Sequence, residues 1–162
     1  MVPLDMSSGD AGEVAGVNIA NVNPAHQLFA FGIEGNGTVQ FWDPRSRSRV
    51  GLLNLPVSAL MHGGSDASPS LSVTAIASRS DGLSYAIGTS TGHTLLYDIR
   101  SPRPYATKDQ GYGLPVKSVE WIEGGGRVAG DGMVISADEK VVKLWDRNSV
   151  SLSMSTTLTR PS

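Results

Sequence analysis

An aromatic residue followed by aspartate ends an alternating run of residues three times in this chain. The runs are TVQFWD (38–43), HTLLYD (93–98) and VVKLWD (141–146), and their dipeptides are Trp42-Asp43, Tyr97-Asp98 and Trp145-Asp146. Alternation with a period of two is typical of a β-strand, so each run predicts a strand that ends at its aspartate. A chain that repeats this ending repeats a structural unit, and this limits the possible folds more than any other feature of the sequence.

Three more runs accompany each of these predicted strands. One run lies directly upstream (28–35, 85–92, 133–139), one lies further upstream (17–22, 73–78, 116–121), and one follows the aspartate (49–55, 104–108, 150–155). The runs are short, rich in β-branched and aromatic residues, and separated by Gly, Asn, Asp, Pro and Ser, a pattern typical of strands joined by tight turns. No stretch has a clear helical period. The sequence therefore predicts an all-β chain of about three four-stranded antiparallel units.

Each unit has the organisation of a WD repeat, one blade of a β-propeller. The aromatic residues are at positions 42, 97 and 145, so they lie 55 and 48 residues apart, slightly more than the roughly 40–45 residues of such a repeat. We expect the aromatic ring to pack between neighbouring sheets and the aspartate to anchor the following turn. A propeller needs about 4–8 blades to close, so this WD40-type segment is not expected to form a closed ring on its own.

The extra residues fall between the predicted strands. Loops accept insertions more readily than strands do, so the insertions preserve the blades. The predicted organisation is a flexible N-terminal segment (1–16), a blade (17–55), a long inter-blade connection (56–72), a second blade (73–108), a third blade (109–155) with a loop insertion (123–132), and a tail (156–162).

The residues favour a binding protein over an enzyme. The chain has no cysteine and a net charge of −2, which excludes thiolate chemistry and a strong overall attraction to nucleic acid. The glycine-rich segment GGGRVAGDG (124–132) lacks the ending of a phosphate-binding loop. We expect no catalytic residue, no cofactor, no metal site, no small-molecule substrate and no membrane contact. The N-terminus has no signal-peptide pattern, which predicts an intracellular protein.

Arginines concentrate in the turns between third and fourth strands. In a blade these turns share one face with the turns between first and second strands, which hold Arg79 and Arg127. The candidates for binding RNA or a protein partner are Arg45, Arg47, Arg49, Arg100, Arg103 and Arg147. The alternative is that these arginines only pair with the aspartates beside them, and exposed pairs add roughly 0–1 kcal/mol. The opposite face carries Glu34, Asp66, Asp138 and Glu139 and is expected to be acidic.

Segments between and around the strands resemble one particular family. They are WDPRSRSRVGLL (42–53), GTSTGHTLLYDIRSPRP (88–104) and YGLPVKSVEW (112–121), and they resemble the propeller of the nucleolar protein 10 / essential nuclear protein 2 family over residues 17–149. The resemblance implies a non-catalytic WD40 scaffold of small-ribosomal-subunit biogenesis in the nucleus and nucleolus. Its partners would be other ribosome biogenesis proteins and, through phosphate contacts, pre-ribosomal RNA.

Two other functions remain as alternatives. One is a generic WD40 adaptor that binds proteins in a non-ribosomal complex. The other is a propeller enzyme, which would need polar residues around a central channel. The predicted inner strands offer few such residues, namely Asn18, Asn21, Thr74, Ser118 and Glu120.

Overall fold

The computed structural model describes residues 16–61, 70–124, 132–146 and 152–158. Predictions that concern residues 1–15, most of the insertion 123–132, and the end of the tail lie outside these residues. The same holds for Arg127, Arg147 and Asp66.

The described residues form three antiparallel sheets of four strands, joined in the order of the sequence. Blade 1 consists of β1 (Val17–Val22), β2 (Phe29–Ile33), β3 (Thr38–Asp43) and β4 (Ser48–Asn54). Blade 2 consists of β5 (Val73–Ser78), β6 (Ser84–Thr89), β7 (His93–Asp98) and β8 (Ala106–Asp109). Blade 3 consists of β9 (Ser118–Ile122), β10 (Met133–Ala137), β11 (Val141–Asp146) and β12 (Leu152–Thr157).

The blades pack face to face, and blade 2 lies in the middle. One apolar cluster joins blade 1 to blade 2 and includes Phe41, Tyr85 and Tyr97. A second cluster joins blade 2 to blade 3 and includes Leu96 and Val134. Every residue of β6 is buried because both faces of that blade are covered. The three sheets do not close into a ring, which confirms the predicted all-β propeller segment.

One glycine in blade 1 and one in blade 2 allow the following blade to pack closely against each of them. An added Cβ at Gly32 would lie 2.5 Å from Cγ1 of Val73, and one at Gly88 would lie 2.7 Å from Cγ1 of Val116. Real Cβ atoms do not approach other atoms so closely, so a side chain at either position would displace the neighbouring blade.

A side-chain hydrogen bond accompanies each of these approaches. Asn18 Nδ2 donates to the carbonyl oxygen of Val73 over 2.8 Å, and Thr74 Oγ1 donates to that of Val116 over 2.6 Å. Both donors sit where the strand pairing shifts register. These two polar residues of the inner strands therefore tie one blade to the next.

The long connection after blade 1 has more structure than its composition predicts. It contains one helical turn, α1 (Val57–Leu60), and its ends bury Leu60 and Leu71 in the cluster between blades 1 and 2. Serine and glycine are abundant in this segment and suggested a plain loop. Its few leucines show no periodicity that would predict their burial.

Candidate partner-binding surface

The aromatic residues of the three dipeptides occupy equivalent places. Each is the penultimate residue of a third strand and lies opposite the second strand, in the pairs Phe29–Trp42, Tyr85–Tyr97 and Val134–Trp145. The three aromatic side chains are buried. Tyr97 belongs to the cluster between blades 1 and 2.

The neighbours of Trp145 and Trp42 differ. The Trp145 ring lies 5.7 Å from the Nζ atom of Lys108 in blade 2. Phe41 packs toward blade 2, and since neighbouring side chains of a strand point to opposite faces, Trp42 lies on the face of blade 1 turned away from blade 2. There its Nε1 donates to Gln40 Oε1 over 3.2 Å.

The aspartates of the first two dipeptides shape the turns that carry the arginines. Asp43 Oδ1 accepts the backbone N–H of Arg45 over 2.9 Å, and Asp98 Oδ1 accepts that of Arg100 over 2.9 Å. A carboxylate that bonds the backbone two residues further on closes a tight turn. The aspartates thereby fix where the following side chains leave the blade.

The same carboxylates also hold two of the candidate arginines. Arg45 contacts Asp43 through Nε and Nη2, both at 3.0 Å, and Arg100 contacts Asp98 at 2.8 and 2.5 Å. The hydrogen bond from the Arg45 side chain lowers the pKa of Asp43, and that from Arg100 lowers the pKa of Asp98 to about 2. Both arginine side chains remain 69% exposed, so the pairs orient them without covering them.

Three other candidates are differently placed. Arg47, Arg49 and Arg103 are exposed and form no ion pair with a residue that the structure describes. Arg47 has a φ of 53°, in the left-handed region, where the chain turns into β4. The interpretation of all these arginines as partners of neighbouring aspartates therefore fits Arg45 and Arg100 but not these three.

Arg79 was predicted on the same face, but its charge is already engaged. Its guanidinium lies 3.4 Å from Asp81 and 3.5 Å from Glu123, and it sits 5.9 Å from the centre of the Trp121 ring. Only 16% of the Arg79 side chain is exposed. Arg79 thus joins blades 2 and 3 rather than presenting its charge to a partner.

The opposite face is less acidic than its sequence suggests. Asp138 is buried, and its Oδ1 accepts the backbone N–H groups of Lys140 and Val141 over 2.6 and 2.8 Å. Glu139 lies 3.9 Å from Lys117 Nζ. The Asp138 carboxylate closes a turn, and Lys117, which is distant in the sequence, offsets the charge of Glu139.

The structure brings the turns of blades 1 and 2 together. Val50 of β4 and Arg100 of the turn after β7 line one cavity between the two blades. Arg49 lies opposite Trp42 in the strand pairing, on the other face of blade 1. In the part of the chain described here, no three His, Cys, Asp or Glu side chains are placed to hold a metal ion. None of the described helices is long and apolar enough to cross a bilayer.

Comparison with known proteins gives a consistent match. The family model for the nucleolar protein 10-like N-terminal domain, a β-propeller, matches residues 1–160. The ribosome biogenesis protein enp2 homolog of Schizosaccharomyces pombe is 48% identical over 147 residues, which cover 90% of this chain and 22% of that protein. Human nucleolar protein 10 is 41% identical over 134 residues, 82% of this chain and 18% of its own length. The chain therefore spans about a fifth of the length of these relatives.

A solved structure gives the same fold at lower identity. The β-propeller domain of Cps50 (Swd1) from Myceliophteria thermophila superimposes with a TM-score of 0.65 at 16% sequence identity, over 90% of this chain and 40% of that one. At this identity the likeness shows the propeller fold alone.

Proposed function

Since the chain belongs to the nucleolar protein 10-like family of N-terminal β-propeller domains, we propose that it is a non-catalytic scaffold of small-ribosomal-subunit biogenesis. The resemblance found in the sequence is confirmed by the family match, and the predicted nuclear and nucleolar location is confirmed by relatives named nucleolar protein 10. The relative from Schizosaccharomyces pombe is named a ribosome biogenesis protein. On this proposal the chain docks ribosome biogenesis proteins and pre-ribosomal RNA.

The observation that carries the proposal is the set of exposed arginines in the turns leaving β3 and β7. Arg47, Arg49 and Arg103 have no carboxylate partner among the described residues, and Arg45 and Arg100 keep their guanidinium groups accessible. The planar guanidinium can bind a phosphate through two hydrogen bonds and stays charged at any relevant pH. We assign RNA phosphate as the ligand of these turns.

The inner strands support a scaffold over a propeller enzyme. A channel-lining enzyme would need polar side chains that are available to a substrate. Asn18 Nδ2 and Thr74 Oγ1 donate hydrogen bonds to the backbone of the next blade. Their role is structural.

Crosslinking of the full-length protein within pre-ribosomal particles tests this function. Phosphate contacts release counterions, so RNA crosslinks near Arg47 and Arg49 should fall as salt rises. They should largely disappear in an Arg47→Gln, Arg49→Gln variant. A matched Lys117→Gln, Lys140→Gln variant removes two exposed charges elsewhere and should keep the crosslinks.

Two results would contradict the proposal. RNA crosslinks that persist in the arginine variant would leave these side chains without an RNA role. A full-length protein that does not sediment with pre-ribosomal particles would favour the generic adaptor.

A further inference from the structure

The turn between β3 and β4 has two serines among its arginines. Its sequence is RSRSR (45–49), so Ser46 and Ser48 each lie between two arginines. All five residues are exposed. The proposed contacts with RNA phosphate use the guanidinium groups of this turn and give the two hydroxyl groups no role. An exposed hydroxyl between two positive charges is itself a place where a partner enzyme can act.

Ser46 occupies the part of this turn that a second protein can reach most easily. The last residues paired between the two strands are Asp43 and Ser48, so residues 44–47 form a tip outside the strand pairing. The Ser46 hydroxyl oxygen lies 2.8 Å from the Ser48 hydroxyl oxygen and 3.4 Å from the carbonyl oxygen of Asp43, and both contacts are exposed. Since β4 also ends its sheet, an enzyme can draw the tip into its cleft without opening the core.

Two other serines in the arginine-bearing turns are less suited to carry a new negative charge. Ser48 lies opposite Asp43 across the strands, and like charges placed directly opposite each other are destabilising. Ser101 lies in the equivalent turn of blade 2, where its hydroxyl donates to the carbonyl oxygen of Arg103 over 3.2 Å and accepts the backbone N–H of Arg103 over 3.3 Å. A modification there would break the turn's own hydrogen bonds. Ser46 avoids both obstacles.

A phosphate on Ser46 would compete directly with RNA for this turn. It carries a charge of about −1.5 to −2 at pH 7, whereas the turn holds three arginines against the single carboxylate of Asp43. Arg47, next to Ser46, has no ion-pair partner among the described residues. A guanidinium binds the phosphate of a modified serine through the same charged hydrogen bonds that it offers to RNA. The modified turn would therefore satisfy its own arginines, and the added charge would repel the RNA backbone.

We propose that Ser46 is a phosphorylation site whose modification releases RNA from this turn. The enzyme is a protein kinase with an acidic cleft that selects a serine between arginines, and its second substrate is ATP. The Ser46 hydroxyl oxygen bonds to the γ-phosphorus of ATP, the bond from that phosphorus to the β–γ bridging oxygen breaks, and ADP leaves with the electron pair. The hydroxyl proton passes to a carboxylate of the kinase. The site stands on the geometry of the turn, and only its effect on RNA rests on the proposed function.

Mass spectrometry of the purified chain tests the site. The chain is incubated with ATP and a kinase selective for serine between arginines, and a peptide of residues 42–53 verifies that the kinase is active. We expect the phosphate on Ser46. It should be absent from Ser46→Ala and retained in Ser48→Ala and in Ser101→Ala. A chain that stays unmodified while the peptide is phosphorylated would overturn the site, and so would a phosphate found mainly on Ser48 or Ser101.

Binding of a labelled oligouridylate, followed by fluorescence anisotropy at several salt concentrations, tests the effect on RNA. The chain is compared with the same chain phosphorylated on Ser46. Each phosphate contact adds roughly 0.7 to the salt slope of a single strand, so loss of the contacts of Arg45 and Arg47 should lower the slope by about 1.4. Binding at about 0.1 M salt should weaken at least about tenfold. A matched chain phosphorylated on Ser118, which is exposed outside the arginine-bearing turns, should keep its slope.

The inference and the proposed function can fail separately. If the unmodified chain binds the oligouridylate and phosphorylation on Ser46 leaves the affinity and the slope unchanged, the release of RNA is refuted and the proposed function stands. An equal loss of affinity after phosphorylation on Ser118 would also refute it, because any added charge would then have the same effect. An unmodified chain that does not bind the oligouridylate would contradict the RNA contacts themselves, whereas mass spectrometry decides the site of modification independently of RNA.

Discussion

Replacement of Gly88 by alanine reverses the usual effect of this substitution in a strand. Glycine inside a strand costs roughly 0.5–1 kcal/mol relative to alanine because it loses more backbone freedom on folding. Gly88 lies in the middle of blade 2, where its new Cβ would stand 2.7 and 2.8 Å from two atoms of Val116 and 3.1 Å from Ala75. One of these atoms is the Val116 Cβ, which cannot move without its backbone.

The magnitude follows from the balance of these two effects. Overpacking a well-packed core costs about 1–3 kcal/mol, which exceeds the backbone gain. We expect Gly88→Ala to lower the free energy of unfolding by roughly 0.5–2 kcal/mol net, or the thermal midpoint by about 2–4 °C per kcal/mol. Urea unfolding followed by tryptophan fluorescence measures the change.

Gly51→Ala is the matched control for this prediction. Gly51 is also inside a strand, but its added Cβ would meet the Phe41 ring at 3.5 Å or more. The backbone effect then acts alone, and the variant should gain roughly 0.5–1 kcal/mol. A Gly88→Ala variant as stable as Gly51→Ala would refute the close packing of Val116 on blade 2.

Three further predictions concern the dipeptides and the free blade faces. Trp145→Ala removes a buried ring whose Nε1 donates to Ser136 Oγ over 2.7 Å and should cost about 3–5 kcal/mol in urea unfolding; a smaller loss would mean that the ring is not part of the core. The pKa of Asp98 is lowered to about 2 from a usual 3.8. Its pair with Arg100 therefore stabilises the fold fully above pH 4, and this stabilisation is lost as the pH falls toward 2. Carboxyl NMR titration should give a pKa well below 3.8, and a normal value would exclude the pair in solution. The purified chain should self-associate through exposed apolar residues such as Val22 and Ile122, and sedimentation of a monomer at high concentration would contradict this.

The sequence was sufficient to predict the strands, because alternating residues and turn residues are local signals. The third strands have the bounds that alternation predicts, and the aspartate turns follow from two residues each. Which arginines are exposed and which are paired was harder to predict, because this depends on residues that are distant in the sequence. Arg79 is engaged by Glu123 of blade 3, and no local pattern around Arg79 contains that information.

The cavity lay beyond sequence reasoning for the same reason. It combines Leu28, β4 and the turn after β7, segments that only the packing of two blades brings together. The one available signal was the apolar middle of β4, where Val50 and Leu52 stand in a strand that ends its sheet. Such a strand would ordinarily carry charge there.

The ties from Asn18 and Thr74 set an order for synthesis as well as for packing. Each donor precedes its acceptor, by 55 residues for the first tie and 42 for the second. At about 5–20 residues per second, a ribosome needs roughly 2–11 seconds to deliver each acceptor after its donor. Each blade thus presents its hydrogen-bond donor, and the glycine against which the next blade packs, before that next blade is synthesised. The nascent chain can therefore add blades one at a time. The open row of blades therefore grows from the N-terminal blade toward the C-terminal blade during translation.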